Sequence, residues 1–93
     1  MMEPQVVYDN WYEIFSTEGI FFIPKDVVGE NASPEALSQF IDGKYVEHKL
    51  VSGWGARLSA PGYLDCTEWA VYETEEEAEQ FLRDTYDVEV EGI

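Results

Sequence analysis

Apolar and polar residues alternate with period two through the middle of the chain. From Tyr45 to Leu58 the even positions read Val46, His48, Leu50, Ser52, Trp54, Ala56 and Leu58. The odd positions read Tyr45, Glu47, Lys49, Val51, Gly53, Gly55 and Arg57. Successive side chains of a strand point to opposite faces, so this segment is predicted to be one long strand with its even face toward the core. Gly53 and Gly55 flank Trp54 and predict a bulge or bend there. Two aromatic-rich stretches come earlier, Trp11 to Phe15 and Ile20 to Ile23. Ser16-Thr17-Glu18-Gly19 separates them and predicts a hairpin turn, with Gly19 free to take positive φ.

Two helices are predicted. Ser33 followed by Pro34 is a helix start, with serine as N-cap and proline in the first helical position. This short helix is expected to bury Leu37, Phe40 and Ile41 and to stop at Asp42-Gly43. Later, Thr74-Glu75-Glu76-Glu77 is a capping box, and three glutamates in the first turn suit the positive end of the helix dipole. Ala78, Phe81, Leu82 and Thr85 recur at helical spacing as a buried stripe with Tyr86 at its edge. Glu75, Glu79 and Arg83 are then expected on the outer face, with Glu79 and Arg83 as an i,i+4 pair. Between the long strand and this helix, Ala60-Pro61-Gly62 predicts a turn and Thr67 to Tyr72 a strand pairing antiparallel with its predecessor. The tail Asp87-Val88-Glu89-Val90-Glu91 alternates and can add an edge strand guarded by charge. The expected fold is one α+β domain over residues 1–93, in the order ββαββα, with an antiparallel sheet and both helices on one face.

Composition changes the picture. The chain has 93 residues with 20 Asp or Glu against 5 Lys or Arg, a net charge of −15. Such acidity alone suggests disorder, but 15% aromatic residues supply the apolar surface for a core. Direct, charge-driven binding to nucleic acid or to an anionic membrane is excluded as an expectation, because both need positive charge. The longest apolar run, Ile20 to Ile23, ends at Pro24, far short of the roughly 18 residues of a membrane span. Residues 1–5 show neither the basic start nor the apolar stretch of a secretory signal. A single cysteine, Cys66, allows no internal disulfide, which points to a reducing, cytoplasmic setting. Its acidic neighbours Asp65 and Glu68 disfavour a reactive thiolate, so Cys66 is read as structural.

The block Gly53-Trp54-Gly55-Ala56-Arg57-Leu58-Ser59-Ala60-Pro61-Gly62-Tyr63-Leu64-Asp65-Cys66-Thr67-Glu68-Trp69, followed by Thr74-Glu75-Glu76-Glu77-Ala78, resembles a pattern of small uncharacterised proteins of phages and bacteria. The resemblance covers the second half of the chain. It implies a phage or mobile-element accessory protein and carries no activity, cofactor or catalytic residue with it.

No catalytic constellation emerges from the residues themselves. His48, the only histidine, falls on the core face of a strand, where a satisfied or half-buried ring is expected rather than a base. There is no hard-cation loop, no Cys/His cluster and no phosphate-binding glycine run, so neither metal nor cofactor is expected. Trp54 has two readings, a core side chain or a partly exposed anchor for a partner.

Charge is unevenly divided. Residues 1–64 hold nine acids and four bases, whereas residues 65–93 hold eleven acids and only Arg83. Acids three or four apart on a helix stand about 5–6 Å apart along its axis, a density comparable with phosphates about 3.4 Å apart along a DNA strand. The expected contact residues are Glu73, Glu75, Glu76, Glu79, Asp84, Asp87, Glu89 and Glu91, together with Trp54. The partner they predict is a basic, nucleic-acid-handling host protein, bound by a non-enzymatic monomer or homodimer acting as a DNA mimic, anti-CRISPR or anti-restriction factor. The alternative is a small regulatory or adaptor domain that recognises a protein through Trp11, Tyr12, Trp54 and Tyr63, with the acids only a solvated surface.

Overall fold

A computed structural model describes residues 3–59 and 66–87. The elements are β1 (Glu3–Ser16), β2 (Gly19–Pro24), α1 (Lys25–Val28), α2 (Pro34–Ser38), β3 (Tyr45–Ser59), β4 (Ala70–Tyr72) and α3 (Glu75–Tyr86). The fold is α+β: a four-stranded antiparallel sheet in the order β2-β1-β3-β4, with helices packed against it.

Local chemistry explains most element boundaries. β1 and β2 form a hairpin in register Ser16↔Gly19, with Gly19 at φ 135° and the Ser16 hydroxyl donating to the Gly19 carbonyl (3.0 Å). α2 starts as its sequence requires, the Ala36 amide donating to Ser33 Oγ at 3.1 Å. β3 and β4 pair antiparallel, Trp54 opposite Tyr72 and Ala56 opposite Ala70. The cross-strand contacts of β1 and β3 are Gln5 with Arg57, Tyr8 with Trp54, Asn10 with Ser52 and Glu13 with Lys49. Each step forward on one strand is a step back on the other, which is an antiparallel register.

The chain divides into two compact units. Residues Asp9–Ser52 form one; the other contains residues 3–8, 53–59 and 66–87. In the first, Tyr12, Ile14 and Leu37 are buried, flanked by Ile23, Val28, Ala32, Ile41 and Tyr45. In the second, α3 lays Ala78 and Leu82 on Ala56 and Leu58 of β3, with Val6, Trp54, Tyr72, Phe81 and Tyr86 around them. Full burial of a leucine such as Leu37 or Leu82 contributes roughly 1.5–3 kcal/mol.

Several expectations are corrected. The order is ββααββα, because a one-turn helix, α1, follows Pro24 directly. Pro24, at φ −56°, ends β2 and leads into that turn. β1 begins at Glu3, eight residues before the expected Trp11, since its first half is held by contacts to β3 rather than by its own pattern. β4 begins at Ala70, not Thr67. Thr67 is instead occupied with Leu58: its amide donates to the Leu58 carbonyl (2.9 Å) and its hydroxyl accepts from the Leu58 amide (2.8 Å). The even face of β3 is buried only in part: Ala56 and Leu58 are in the core, but Val46 and Leu50 are 59% and 51% exposed. Phe40 is exposed rather than buried; Cys66 is a free, exposed thiol in a β-bridge with Ser59. The turn expected at Ala60-Pro61-Gly62 lies outside the described residues, as does the edge strand expected over Asp87–Glu91 apart from Asp87, which caps α3 instead.

Candidate functional site

The acidic segment is built on α3, and its cap is formed as the sequence indicates. The Glu77 amide donates to Thr74 Oγ1 (3.2 Å), and the Thr74 hydroxyl in turn donates to Glu77 Oε1 (3.0 Å). The glutamate thus returns to the capping hydroxyl, leaving its carboxylate tethered at the helix entrance. At the other end the Asp87 amide donates to the Arg83 carbonyl (3.1 Å), and Asp87 adopts a left-handed conformation at φ 53°.

The helix is rotated relative to the expected stripe. Its buried arc runs through Ala78, Leu82 and Glu79, with Glu75, Phe81 and Tyr86 half-buried, while Thr85 is exposed. Glu79 is therefore not on the outer face: it is 7% exposed, and its carboxylate reaches the Arg83 guanidinium at 3.4 Å. Phe81 and Tyr86 pack around the fully buried Ala78 and Leu82, and Arg83 meets the Glu79 carboxylate beside them. Glu75 is half-buried. The exposed acids on α3 and at its ends are Glu73, Glu76, Glu77, Asp84 and Asp87. Glu89 and Glu91 lie outside the described residues. Trp54 is half-buried, packing on the α3 core cluster with its ring edge-on to Tyr8 at 5.4 Å, so it serves the core rather than standing free.

Both basic residues of this unit are engaged. Arg83 meets Glu79, and Arg57 stacks over the Trp69 ring at 4.2 Å while donating to Gln5 Oε1 at 2.7 Å. The field of the exposed carboxylates reaches the neighbouring aromatics. Burial of its phenol, and after that the Glu77 carboxylate, push the Tyr72 hydroxyl above the ordinary tyrosine value of 10.0.

A shallow concavity of about 360 Å³ runs along this outer face, lined by Tyr72, Glu77, Gln80, Phe81, Asp84 and Thr85. Tyr72 and Phe81 stand 5.6 Å apart with tilted rings, and Phe81 meets Tyr86 edge-on at 5.9 Å. The Gln80 amide donates to Asp84 Oδ1 at 2.8 Å, holding that carboxylate in place. Sequence reading missed Tyr72, Glu77, Gln80, Phe81 and Thr85 as site residues. The Gln80–Asp84 contact was open to it as an i,i+4 pair; helical spacing placed Phe81 correctly against the core but not its other edge at the groove.

The other chemical candidates resolve into structure. His48 Nδ1 and the Tyr45 hydroxyl share a hydrogen bond of 2.6 Å, and the His48 ring lies against Tyr12. Among the described residues no group of three His, Cys, Asp or Glu is placed to hold a metal ion, and no helix is long and apolar enough to cross a membrane. Trp11 and Tyr12, the aromatic contacts of the adaptor reading, are buried, and Tyr63 lies outside the described residues. No protein-family model, no curated protein and no solved structure gives a significant match to this chain.

Proposed function

We propose that this chain is a non-enzymatic, cytoplasmic binding protein of phage or mobile-element type. Its α3 face occupies the basic surface of a nucleic-acid-handling host protein, in the manner of a DNA mimic, an anti-CRISPR or an anti-restriction factor. The observation that carries this reading is the set of exposed acids Glu73, Glu76, Glu77, Asp84 and Asp87 on one short helix and its ends, in a unit whose two bases are already engaged. Clustered charge of one sign raises the energy of the free protein and steers an oppositely charged partner toward it. Interaction with a basic groove relieves that repulsion.

The test is capture of partners from host lysate, followed by affinity measurements across salt with the purified partner. The reading expects a basic nucleic-acid-binding protein whose affinity falls steeply with salt and is lost when Glu73, Glu76, Glu77 and Asp84 become Gln or Asn. Affinity that ignores salt, or survives those substitutions, refutes it.

A second reading, a regulatory or adaptor domain, is favoured by one observation. Val46 and Leu50 stand four residues apart on β3, both more than half exposed, where a strand face normally carries polar side chains. Under this reading neutralising the α3 acids leaves partner binding intact, while Val46→Ser with Leu50→Ser removes it.

A further inference from the structure

We propose that the groove lined by Tyr72, Glu77, Gln80, Phe81, Asp84 and Thr85 is a recognition site for an arginine side chain of a basic protein partner. The inference rests on the reading of the α3 face as a binding surface and adds a specificity to it. At about 360 Å³ the groove lies near the lower end of the volumes that hold small molecules, and its shallowness suits a protruding side chain better than an enclosed ligand.

The lining joins two kinds of group. Phe81 and Tyr72 offer aromatic rings, whose faces attract a cation and stack against a planar guanidinium. Glu77 and Asp84 stand two helical turns apart, about 10 Å along the axis, at either end of that aromatic stretch. Each carboxylate is held by one short bond, Glu77 to the Thr74 hydroxyl and Asp84 to the Gln80 amide. Their orientation is therefore set before a partner arrives, and less entropy is lost on binding. A planar guanidinium with five donors can stack on a ring while its edge bonds to a carboxylate. A lysine ammonium can do the second but has no plane to stack. The same chemistry already operates inside this protein, where Arg57 lies over Trp69 while bonded to Gln5. Phosphates, nucleic acids and acidic peptides are excluded as occupants by the sign of the charge.

The experiment titrates oligo-arginine and oligo-lysine peptides of equal length into the isotope-labelled full chain at about 0.15 M salt, followed by NMR. Shift changes are expected at Tyr72, Glu77, Gln80, Phe81 and Asp84, with the arginine peptide binding about two- to five-fold tighter. Phe81→Leu should remove that preference while keeping the lysine affinity, and Glu77→Gln with Asp84→Asn should weaken both peptides. Gln80→Lys, at an exposed position, is a second variant should Phe81→Leu fail to fold: its own ammonium competes for the neighbouring ring face, so it should weaken both peptides and abolish the arginine preference. Equal affinity of the two peptides at the α3 acids overturns the arginine site and leaves the acidic-face reading standing. An arginine preference that survives Phe81→Leu or Gln80→Lys also overturns the site. Binding of neither peptide overturns both readings.

Discussion

Gly53 passes so close to Tyr72 that a β-carbon on the glycine would lie 2.7 Å from the Tyr72 carbonyl oxygen and 2.9 Å from a methyl of Val71. The obstruction is backbone of the neighbouring strand, which cannot swing aside as a side-chain end can. Gly53→Ala is therefore expected to destabilise the fold by about 1–3 kcal/mol, the usual cost of overpacking. Urea denaturation of the two proteins measures it. An unchanged midpoint would mean that β4 is loosely held on β3.

Tyr72 also supplies a pH signature. Its hydroxyl is pushed above the value of 10.0, first by burial and then by Glu77, so the folded chain holds this proton more tightly than the unfolded chain. Below pH 10 the phenol is protonated in both states and contributes no slope. Above it the unfolded state loses the proton first, so stability falls as pH rises from the unfolded value toward the higher folded one. Tyr72→Phe should flatten this alkaline decline, and melting curves between pH 8 and about 11 show whether it does. A decline that is identical in the variant assigns the effect to other groups.

Glu79, 7% exposed, has the Arg83 guanidinium 3.4 Å from its carboxylate. Arg83→Ala should cost about 1 kcal/mol, a value held down by the partial exposure of the arginine and the 3.4 Å separation. Replacing both residues, Arg83→Ala with Glu79→Gln, should recover part of that loss, since no uncompensated charge is then left in the core. A double-mutant cycle from thermal melts reads the coupling directly. Additive single effects would show that the pair is energetically silent.

Asp87 ends α3 in the left-handed region at φ 53°, a position where glycine is the favoured residue. Its negative charge also opposes the dipole at a helix C-terminus. Asp87→Gly should raise stability by about 0.5–1 kcal/mol, visible as a higher melting temperature. A lower melting temperature would show that the aspartate makes a stabilising contact of its own.

What the sequence determined by itself was whatever closes within a few residues. The Ser33–Pro34 start of α2, the Thr74–Glu77 cap and the turn at Gly19 each rest on a hydrogen bond or dihedral spanning at most four positions, and each was legible. The alternation over Tyr45 to Leu58 was legible as a strand for the same reason, because pleating is local. Its exposure was not, since whether Val46 or Leu58 meets a partner depends on which segment lies across from it. The first half of β1 was invisible because Gln5 and Asn10 find their partners 52 and 42 residues away, at Arg57 and Ser52. Only the tertiary structure decided the rotation of α3. Helical spacing allows several arcs to be buried, and packing on Ala56 and Leu58 chose the one that takes Glu79 inward and lets Phe81 join core and groove beside Glu77 and Asp84. The acidity was thus written in the chain, while the groove that gives it a shape exists only once that helix has docked.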